Sequence, residues 1–209
     1  MKIIKLTEDE NLYIEITKAL KEGKIIIFPT ETIYGLGGDA LNPTVLEKIY
    51  FIKKRKKEKL FPVLIKDESE LYKYVRDIPE SIKHLIKLFW PGPLTIIFYP
   101  KKDLPEVLTN NGKGIALRVS SSPFIKKLFF YFENPIVATS VNISEEIPLN
   151  NPKDIIKNFK DKVDIFIENG EKKGLPSTVV DIRSGKLKII RKGVLFEKIE
   201  KEVLKKLGL

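Results

Sequence analysis

Lys24–Phe28 (KIIIF) and Pro29–Ala40 (PTETIYGLGGDA) together decide the fold. The first part is an apolar run typical of a buried strand, and the second is polar and then rich in glycine. Gly35, Gly37 and Ala40 fit a loose dinucleotide-binding pattern, but the glycines begin too far beyond the strand to form a strand-to-helix turn. Two interpretations remain. The stretch is an ordinary glycine-rich loop, or it is a loop whose hydroxyls and backbone N–H groups line a polar ligand site.

The rest of the chain alternates short apolar runs with longer amphipathic segments. The runs predict strands at Lys24–Phe28, Phe61–Ile65, Leu94–Tyr99, Gly114–Val119, Ile136–Ala138, Val163–Ile167, Thr178–Ile182 and Leu187–Ile190. Apolar positions three and four apart predict helices near Glu8–Lys21, Thr44–Lys53, Ser81–Phe89, Pro123–Phe130, Pro152–Phe159 and Val194–Leu207. Thr7 followed by Glu10 predicts a capping box for the first helix. This mixture favours an open mixed α/β sheet in one domain, residues 1–209.

The composition excludes several kinds of chemistry. The 209 residues include no cysteine and one histidine, His84, so disulfides, zinc–thiolate sites and cysteine nucleophiles are excluded. His84 lies in a helical pattern, where we expect a surface position. No segment resembles a signal peptide or reaches the roughly 20 apolar residues needed to span a bilayer, so we expect a cytoplasmic protein without membrane contact. The formal net charge of +10 favours an anionic partner such as a nucleotide or RNA.

Two cationic features point to such a partner. Lys53–Lys59 (KKRKKEK) carries six positive charges and one negative charge, a net +5. It is either the solvated end of a helix, where cations are favoured, or a contact for polyphosphate or RNA. Arg118 lies inside an apolar strand, and a buried arginine is costly unless it meets an anion. A ligand or a buried carboxylate is therefore implied beside it.

Further polar segments adjoin the predicted strands. Ala138–Ser144 (ATSVNIS) offers small side chains that could cap a turn or hold phosphate oxygens. Ser177-Thr178 leads into one strand, and Arg191-Lys192-Gly193 ends the next. Trp90–Thr95 (WPGPLT) is interpreted as a rigid turn into a strand. No Walker A, metalloprotease or G-x-S-x-G motif is present.

Taken in order, these segments resemble the YrdC-like family of threonylcarbamoyl-AMP synthases, and the resemblance covers nearly the whole chain. The motifs that carry it are FPTETIYGLGGDA, the K-x-R of Lys53 and Arg55, WPGPLT, the S-x-N of Ser140 and Asn142, and STVVD followed by the Arg191 segment. The family makes threonylcarbamoyl-AMP and pyrophosphate from ATP, bicarbonate and L-threonine, for modification of the tRNA adenosine next to the anticodon. The resemblance implies a twisted open mixed sheet with helices around a large positively charged cavity, in the short form without an extra C-terminal domain.

The resemblance also implies roles for individual residues. Those implied in catalysis are Lys53, Arg55, Ser140 and Asn142, and those implied in ATP binding are Arg55, Lys59, Ser140, Asn142 and Arg191. Those implied in threonine binding are Thr32, Arg118 and Ser177, with Thr30 as a further lining residue and Arg118 holding the carboxylate as a planar fork. Mg²⁺ is expected to arrive on the ATP phosphates, because no carboxylate cage is visible. The implied partners are the small-molecule substrates, a downstream threonylcarbamoyl transferase complex, and tRNA or double-stranded RNA.

The chain departs from the family pattern in the basic segment. Lys54 and Lys56 stand where the family often has Gly and Pro, and Leu60-Phe61 stands in place of Pro-Leu. Leu64 occupies a position where longer members often carry a histidine. An alternative function is a non-catalytic RNA-binding protein, or a nucleotide-binding regulator, of the same fold. The segment after Val194 is predicted to be an amphipathic helix without an assigned role.

Overall fold

Two mixed β-sheets with helices packed around them make up the computed structural model, which describes the backbone of residues 1–207. The strands are β1 (Lys2–Lys5), β2 (Ile26–Pro29), β3 (Tyr34–Gly37), β4 (Pro62–Ile65), β5 (Leu94–Phe98), β6 (Ile115–Val119), β7 (Ile136–Val137), β8 (Thr139–Ser140), β9 (Ile165–Glu168), β10 (Thr178–Asp181) and β11 (Lys188–Arg191). The helices are α1 (Glu10–Lys21), α2 (Pro43–Lys53), α3 (Leu71–Tyr74), α4 (Glu80–Phe89), α5 (Glu106–Thr109), α6 (Pro123–Leu128), α7 (Pro152–Phe159) and α8 (Phe196–Leu207). The last two residues of the predicted domain lie outside the described residues.

The strands divide between two sheets rather than forming the single sheet that the sequence predicts. The first sheet has the order β1-β9-β2-β3-β8, and the second has the order β11-β10-β5-β6-β4-β7. Both contain parallel and antiparallel pairs, so the mixed α/β class is confirmed. Within residues 1–207, no helix has the length and apolar character needed to cross a bilayer.

The glycine-rich stretch forms a strand, so the prediction of a loop was wrong for Tyr34–Gly37. This strand, β3, is antiparallel to β2 and places Gly35 opposite Phe28. A Cβ atom on Gly35 would lie 2.9 Å from the Phe28 ring. Glycine therefore serves close packing here rather than loop flexibility. All four residues of the strand are buried, and its two glycines interrupt the apolar pattern that would otherwise indicate a strand.

The two sheets meet where the β3 backbone approaches β7. A Cβ atom on Gly37 would lie 1.5 Å from the carbonyl oxygen of Val137. The Val137 N–H donates to the Gly38 carbonyl at 2.9 Å, and Asp39 forms an isolated antiparallel bridge with Ile136. Since β3 belongs to the first sheet and β7 to the second, this backbone contact sets the spacing between the sheets.

The longer helices and the apolar strands lie where the sequence predicts them, with differences mainly at their ends. The first helix begins at Glu10 because Asp9 is its N-cap and accepts a hydrogen bond from the Asn11 N–H at 3.0 Å. The predicted Thr7–Glu10 capping box was therefore wrong. Three strands, β1, β3 and β8, and two one-turn helices, α3 and α5, were not predicted. Of these strands, β1 is a largely exposed edge strand and β8 has only two residues, so neither shows a clear apolar pattern.

We expect Gly37→Ala to destabilise the fold by about 1–3 kcal/mol, the usual cost of overpacking, because the added methyl group would collide with backbone that cannot rotate away. Gly35→Ala in the same strand is the matched comparison, since its methyl group would meet the edge of the Phe28 side chain. Urea denaturation of both variants measures the difference. Equal stability of the wild-type protein and Gly37→Ala would contradict this account of the sheet junction.

Candidate functional site

A pocket lies between the two sheets and collects residues that are distant in the sequence. The residues singled out from the sequence that line it are Thr30, Thr32, Arg118, Ser140, Ser177 and Arg191. The turn before β3 and strand β8 contribute from the first sheet, whereas β6, β11 and the segment before β10 contribute from the second. The sheet junction therefore brings the two halves of the pocket together.

Arg118 is the charged side chain at the centre of this arrangement. It lies on β6 with 5% of its surface exposed. Its Nε donates to the Gly92 carbonyl at 3.1 Å, and its Nη2 lies 2.8 Å from Oε1 of Glu31. Nη2 is buried without an acceptor in good hydrogen-bond geometry among the described residues. A buried guanidinium with spare donors facing a pocket is suited to an anionic ligand.

Glu31 is the carboxylate that pairs with Arg118, and its side chain is 17% exposed, but the sequence did not identify which residue it was. It accepts a hydrogen bond from the Ser120 hydroxyl at 2.6 Å and another from the Ser121 N–H at 2.9 Å. Burial alone would raise the pKa of Glu31, but the positive charge of Arg118 and these hydrogen bonds outweigh burial and lower the pKa. Glu31 is therefore a carboxylate at neutral pH.

Two pairs of hydroxyl groups lie at the pocket. The Oγ1 atoms of Thr30 and Thr32 are 2.9 Å apart, and Thr30 also donates to the Ile33 carbonyl at 2.6 Å. On the second sheet, Ser177 Oγ lies 2.9 Å from Thr95 Oγ1. These hydroxyls can donate or accept, which suits a ligand that carries both a hydroxyl and charged groups.

Arg191 joins the Ser177 pair to a second positive charge. Its Nε donates to the Ser177 carbonyl at 2.9 Å, and its Nη2 donates to Ser177 Oγ at 2.8 Å. Burial, together with the positive charges of Arg118 and Arg55, lowers the pKa of Arg191 to about 10. The charges of Arg118 and Arg55 therefore both act on Arg191, and an anion bound beside these arginines would offset that repulsion.

Lys53 is almost fully buried, with 1% of its surface exposed. Its Nζ donates to the Ser140 carbonyl at 2.5 Å, and to both the carbonyl and the Oδ1 of Asn142 at 2.8 Å. An ammonium group has three N–H donors, so these acceptors engage all of them. Burial and, to a smaller extent, the charge of Arg55 lower the pKa of Lys53 to about 7, whereas the three oxygens favour the ammonium form.

The S-x-N segment is held by this lysine and by its own side chains. Ser140 Oγ donates to Asn142 Oδ1 at 2.7 Å, and Asn142 Nδ2 donates to the Glu146 carbonyl at 2.6 Å. The backbone also closes on the lysine, since the Ser144 N–H donates to the Lys53 carbonyl at 2.8 Å. The structure thus supports a positioning role for Lys53, and its predicted direct contact with phosphate stays a prediction.

Arg55 and Lys59 lie further along the basic segment. Arg55 donates to the carbonyls of Lys59 and Leu60 at 3.1 and 2.8 Å and lies over the Phe61 ring. It lines a second, larger groove of about 1320 Å³. Lys59 forms an exposed ion pair with Glu145. The segment is therefore neither a simple helix end nor a single charged patch, because its side chains take separate positions.

Two contacts at the site come from Trp90–Thr95, for which the sequence predicted only a turn into a strand. The segment leads into β5 as predicted, but it also supplies the Gly92 carbonyl for Arg118 and the Thr95 hydroxyl for Ser177. The available signal was the polar Thr95 at the start of an otherwise apolar strand. His84 lies on the surface as predicted, with its Nε2 3.6 Å from Glu202.

Comparison with protein families decides the assignment. The Sua5/YciO/YrdC family model, described as "Telomere recombination", matches residues 18–193. The chain belongs to this family. The prediction from the sequence motifs is confirmed.

Family members with assigned names are similar over most of this chain. A threonylcarbamoyl-AMP synthase of Wigglesworthia glossinidia brevipalpis is 39% identical over 182 residues, which cover 86% of this chain and 92% of the relative. A threonylcarbamoyl-AMP synthase of Pyrococcus abyssi is 34% identical over 186 residues, which cover 88% of this chain but only 55% of that longer protein.

Among solved structures, P. abyssi Sua5 complexed with L-threonine matches with a TM-score of 0.88 at 32% identity. The match covers 96% of this chain and 59% of that chain. This chain therefore spans little more than half the length of the P. abyssi protein. The agreement confirms the fold of the Sua5/YciO/YrdC family for the described residues.

We expect Lys53→Met to destabilise this family member by about 1–3 kcal/mol, because oxygens of Ser140 and Asn142 would lose their buried donor. The matched control is Lys54→Met, which changes the neighbouring exposed lysine and should shift stability by less than about 0.5 kcal/mol. The free energy of unfolding in urea measures both. Equal stability of the two variants would show that Lys53 does not fasten the S-x-N segment.

Proposed function

We propose that this protein is an L-threonylcarbamoyladenylate synthase. It combines L-threonine, bicarbonate and ATP into threonylcarbamoyl-AMP and pyrophosphate, for modification of the tRNA adenosine next to the anticodon in tRNAs that read codons beginning with A. The observation that carries the proposal is that the buried Arg118 and the half-buried Arg191 lie in one pocket with threonine and serine hydroxyls. The names of the relatives, and the threonine complex of P. abyssi Sua5, support the choice of substrates.

The threonine side of the site consists of Thr32, Arg118 and Ser177, with Thr30 beside them. Arg118 binds the α-carboxylate, since a planar guanidinium matches the two carboxylate oxygens. The hydroxyl groups bind the side-chain hydroxyl or the amino group of threonine. A site built to pair with a hydroxyl discriminates strongly against analogues that lack it, because its own polar groups would then stay buried and unpaired.

The nucleotide side consists of Arg55, Ser140, Asn142 and Arg191, with Lys59 near the same region. Arg55 and Arg191 supply fixed positive charge for the phosphates, and Ser140 and Asn142 supply polar contacts on the opposite sheet. Mg²⁺ arrives on the ATP phosphates, and among the described residues no group of three or more His, Asp or Glu side chains could hold a metal ion independently.

The reaction needs positioning and charge stabilisation rather than a protein nucleophile. The threonine amine attacks the carbon of bicarbonate, water leaves, and a carbamate forms on the nitrogen. A carbamate oxygen then attacks the α-phosphorus of ATP, and the bond from this phosphorus to the bridging oxygen breaks, which releases pyrophosphate. Negative charge builds up on the phosphoryl oxygens, where the arginines stabilise it. This chemistry suits a chain without cysteine and with one surface histidine.

The proposal extends to the partners of the product and to its setting. The threonylcarbamoyl group passes to tRNA through a downstream transferase complex, and the protein acts in the cytoplasm. Contact with tRNA or double-stranded RNA is supported by the larger groove beside Arg55. Its lining includes Lys48, Lys54, Lys57, Lys160 and Lys162 together with the exposed ring of Phe51.

We expect the purified protein to release pyrophosphate when ATP, bicarbonate, L-threonine and Mg²⁺ are all present, and to form threonylcarbamoyl-AMP in equal amount. Coupled pyrophosphate detection and mass spectrometry of the product measure the reaction. Controls omit threonine or bicarbonate. A folded protein that makes no product under these conditions would overturn the proposal and favour the RNA-binding or regulatory alternative.

Arginine substitutions should separate the two substrates. Arg118→Ala should raise the KM for threonine by about tenfold or more, the typical effect of losing a charged hydrogen bond, and should change the KM for ATP far less. Arg55→Ala should mainly impair ATP use or turnover. Arg76→Ala, an exposed arginine that donates to the Pro100 carbonyl, is the matched control. Equal effects of the two site variants on both substrates would show that this division of the site is wrong.

A further inference from the structure

Glu31 has no role in the reaction as proposed above, yet it contacts the arginine assigned to the threonine carboxylate. We propose that Glu31 is a positioning residue, which fixes the Arg118 guanidinium so that its unused N–H groups are presented to that carboxylate. This inference rests on the proposed function. It adds a residue that determines threonine affinity without touching the substrate.

The Arg118 guanidinium contacts the protein at two of its nitrogen atoms. Its Nε donates to the Gly92 carbonyl at 3.1 Å, and its Nη2 forms an ion pair with the Glu31 carboxylate at 2.8 Å. A guanidinium is planar and is joined to its side chain at Nε, so these two contacts together limit how the third nitrogen is oriented. Among the side chains that the structure describes, Nη1 has no hydrogen-bond acceptor or ion-pair partner, so its donors stay available.

Arg118 and Glu31 differ in their position relative to the pocket. Arg118 lines the pocket, whereas Glu31 is not among the described residues that line it. A carboxylate facing the pocket would repel the carboxylate of an amino acid. Placed outside that lining, it pairs with the guanidinium and does not add a negative charge to the surface that the ligand contacts.

The Glu31 carboxylate is itself held in place by two hydrogen bonds. The Ser120 hydroxyl and the Ser121 N–H donate to its two oxygens at 2.6 and 2.9 Å. Its side chain is 17% exposed, and its pKa is lowered because the charge of Arg118 and these hydrogen bonds outweigh burial. The carboxylate is therefore fixed in place and charged when threonine binds.

Arg118 shares the site with two other positively charged residues, Arg55 and Arg191. The charges of Arg118 and Arg55 both lower the pKa of Arg191, so Arg118 lies in the field of other cations. Without a counter-charge, the Arg118 side chain would favour rotamers that turn away from those cations. Glu31 offsets that repulsion at the one arginine whose orientation matters for a carboxylate ligand.

The test is calorimetric titration of L-threonine into the wild-type protein and into Glu31→Gln, Glu31→Asp and Glu15→Gln. Glutamine keeps the length of the side chain and one acceptor oxygen, but it removes the charge and leaves one of the two serine donors without an acceptor. We expect Glu31→Gln to weaken threonine binding by about tenfold, as is typical for partners within one network, with a smaller loss for Glu31→Asp. Glu15, in an exposed ion pair with Lys2, is the control and should show no change. The KM for ATP in pyrophosphate release should be nearly unchanged in every variant.

The outcomes separate this inference from the proposed function. If the wild-type protein binds no threonine, the proposed function fails. If the wild-type protein binds threonine and Glu31→Gln binds it equally well or more tightly, the function stands and the positioning role is overturned. An equal loss of threonine and ATP affinity would likewise overturn it, because a general structural defect explains such a loss.

A second variant keeps the inference testable if Glu31→Gln does not fold. Ser120→Ala removes the 2.6 Å hydrogen bond that orients the carboxylate, and should weaken threonine binding in the same direction but by less. In an Arg118→Ala background, Ser120→Ala should have no further effect on threonine affinity, since the group that it positions is gone. An undiminished effect in that background would contradict the proposed chain of contacts.

Discussion

Arg191 lies in the electrostatic field of two other arginines, Arg118 and Arg55, and the candidate site is built around this concentration of positive charge. Of the three, only Arg118 has an ion-pair partner among the described residues. Burial first, and then the charges of Arg118 and Arg55, lower the pKa of Arg191 to about 10, in keeping with a local excess of positive charge. A protein keeps such a cluster only at a cost to its own stability, and a polyanionic ligand that fills the space stabilises the folded state in return.

The structure orients these arginines mostly with neutral acceptors. Carbonyl groups of Lys59, Leu60, Gly92 and Ser177 hold the guanidinium groups. A carbonyl fixes the direction of a guanidinium without cancelling its charge, so most of the positive charge stays available to substrates. Lys53 also donates to neutral carbonyl groups, but here the ammonium group holds the oxygens of the S-x-N segment in place. In the proposed reaction, both arrangements reduce the reorganisation needed when charge develops.

The fold class could be predicted from the sequence, because strands with continuous apolar runs leave clear local signals, and short polar motifs pointed to six of the residues that line the pocket. Tyr34–Gly37 could not, since its glycines serve a close approach by Phe28 and Val137 that only the tertiary structure shows. The division into two sheets depends on the same contact. The burial of an anion beside Arg118 was predictable from its apolar strand. Its identity as Glu31 was not, because the two residues are 87 positions apart (118 − 31) and pair through the tertiary fold.

The contact between Gly37 and the Val137 carbonyl has a consequence for how far related sequences can diverge. The width of the pocket depends on how near two backbones approach, and side-chain volumes elsewhere in the core have little influence on that distance. Core side chains can therefore be exchanged for others of similar volume without moving one half of the pocket relative to the other. In such a fold, identity can fall to about a third, as between this chain and P. abyssi Sua5, while the architecture around the ligand is retained.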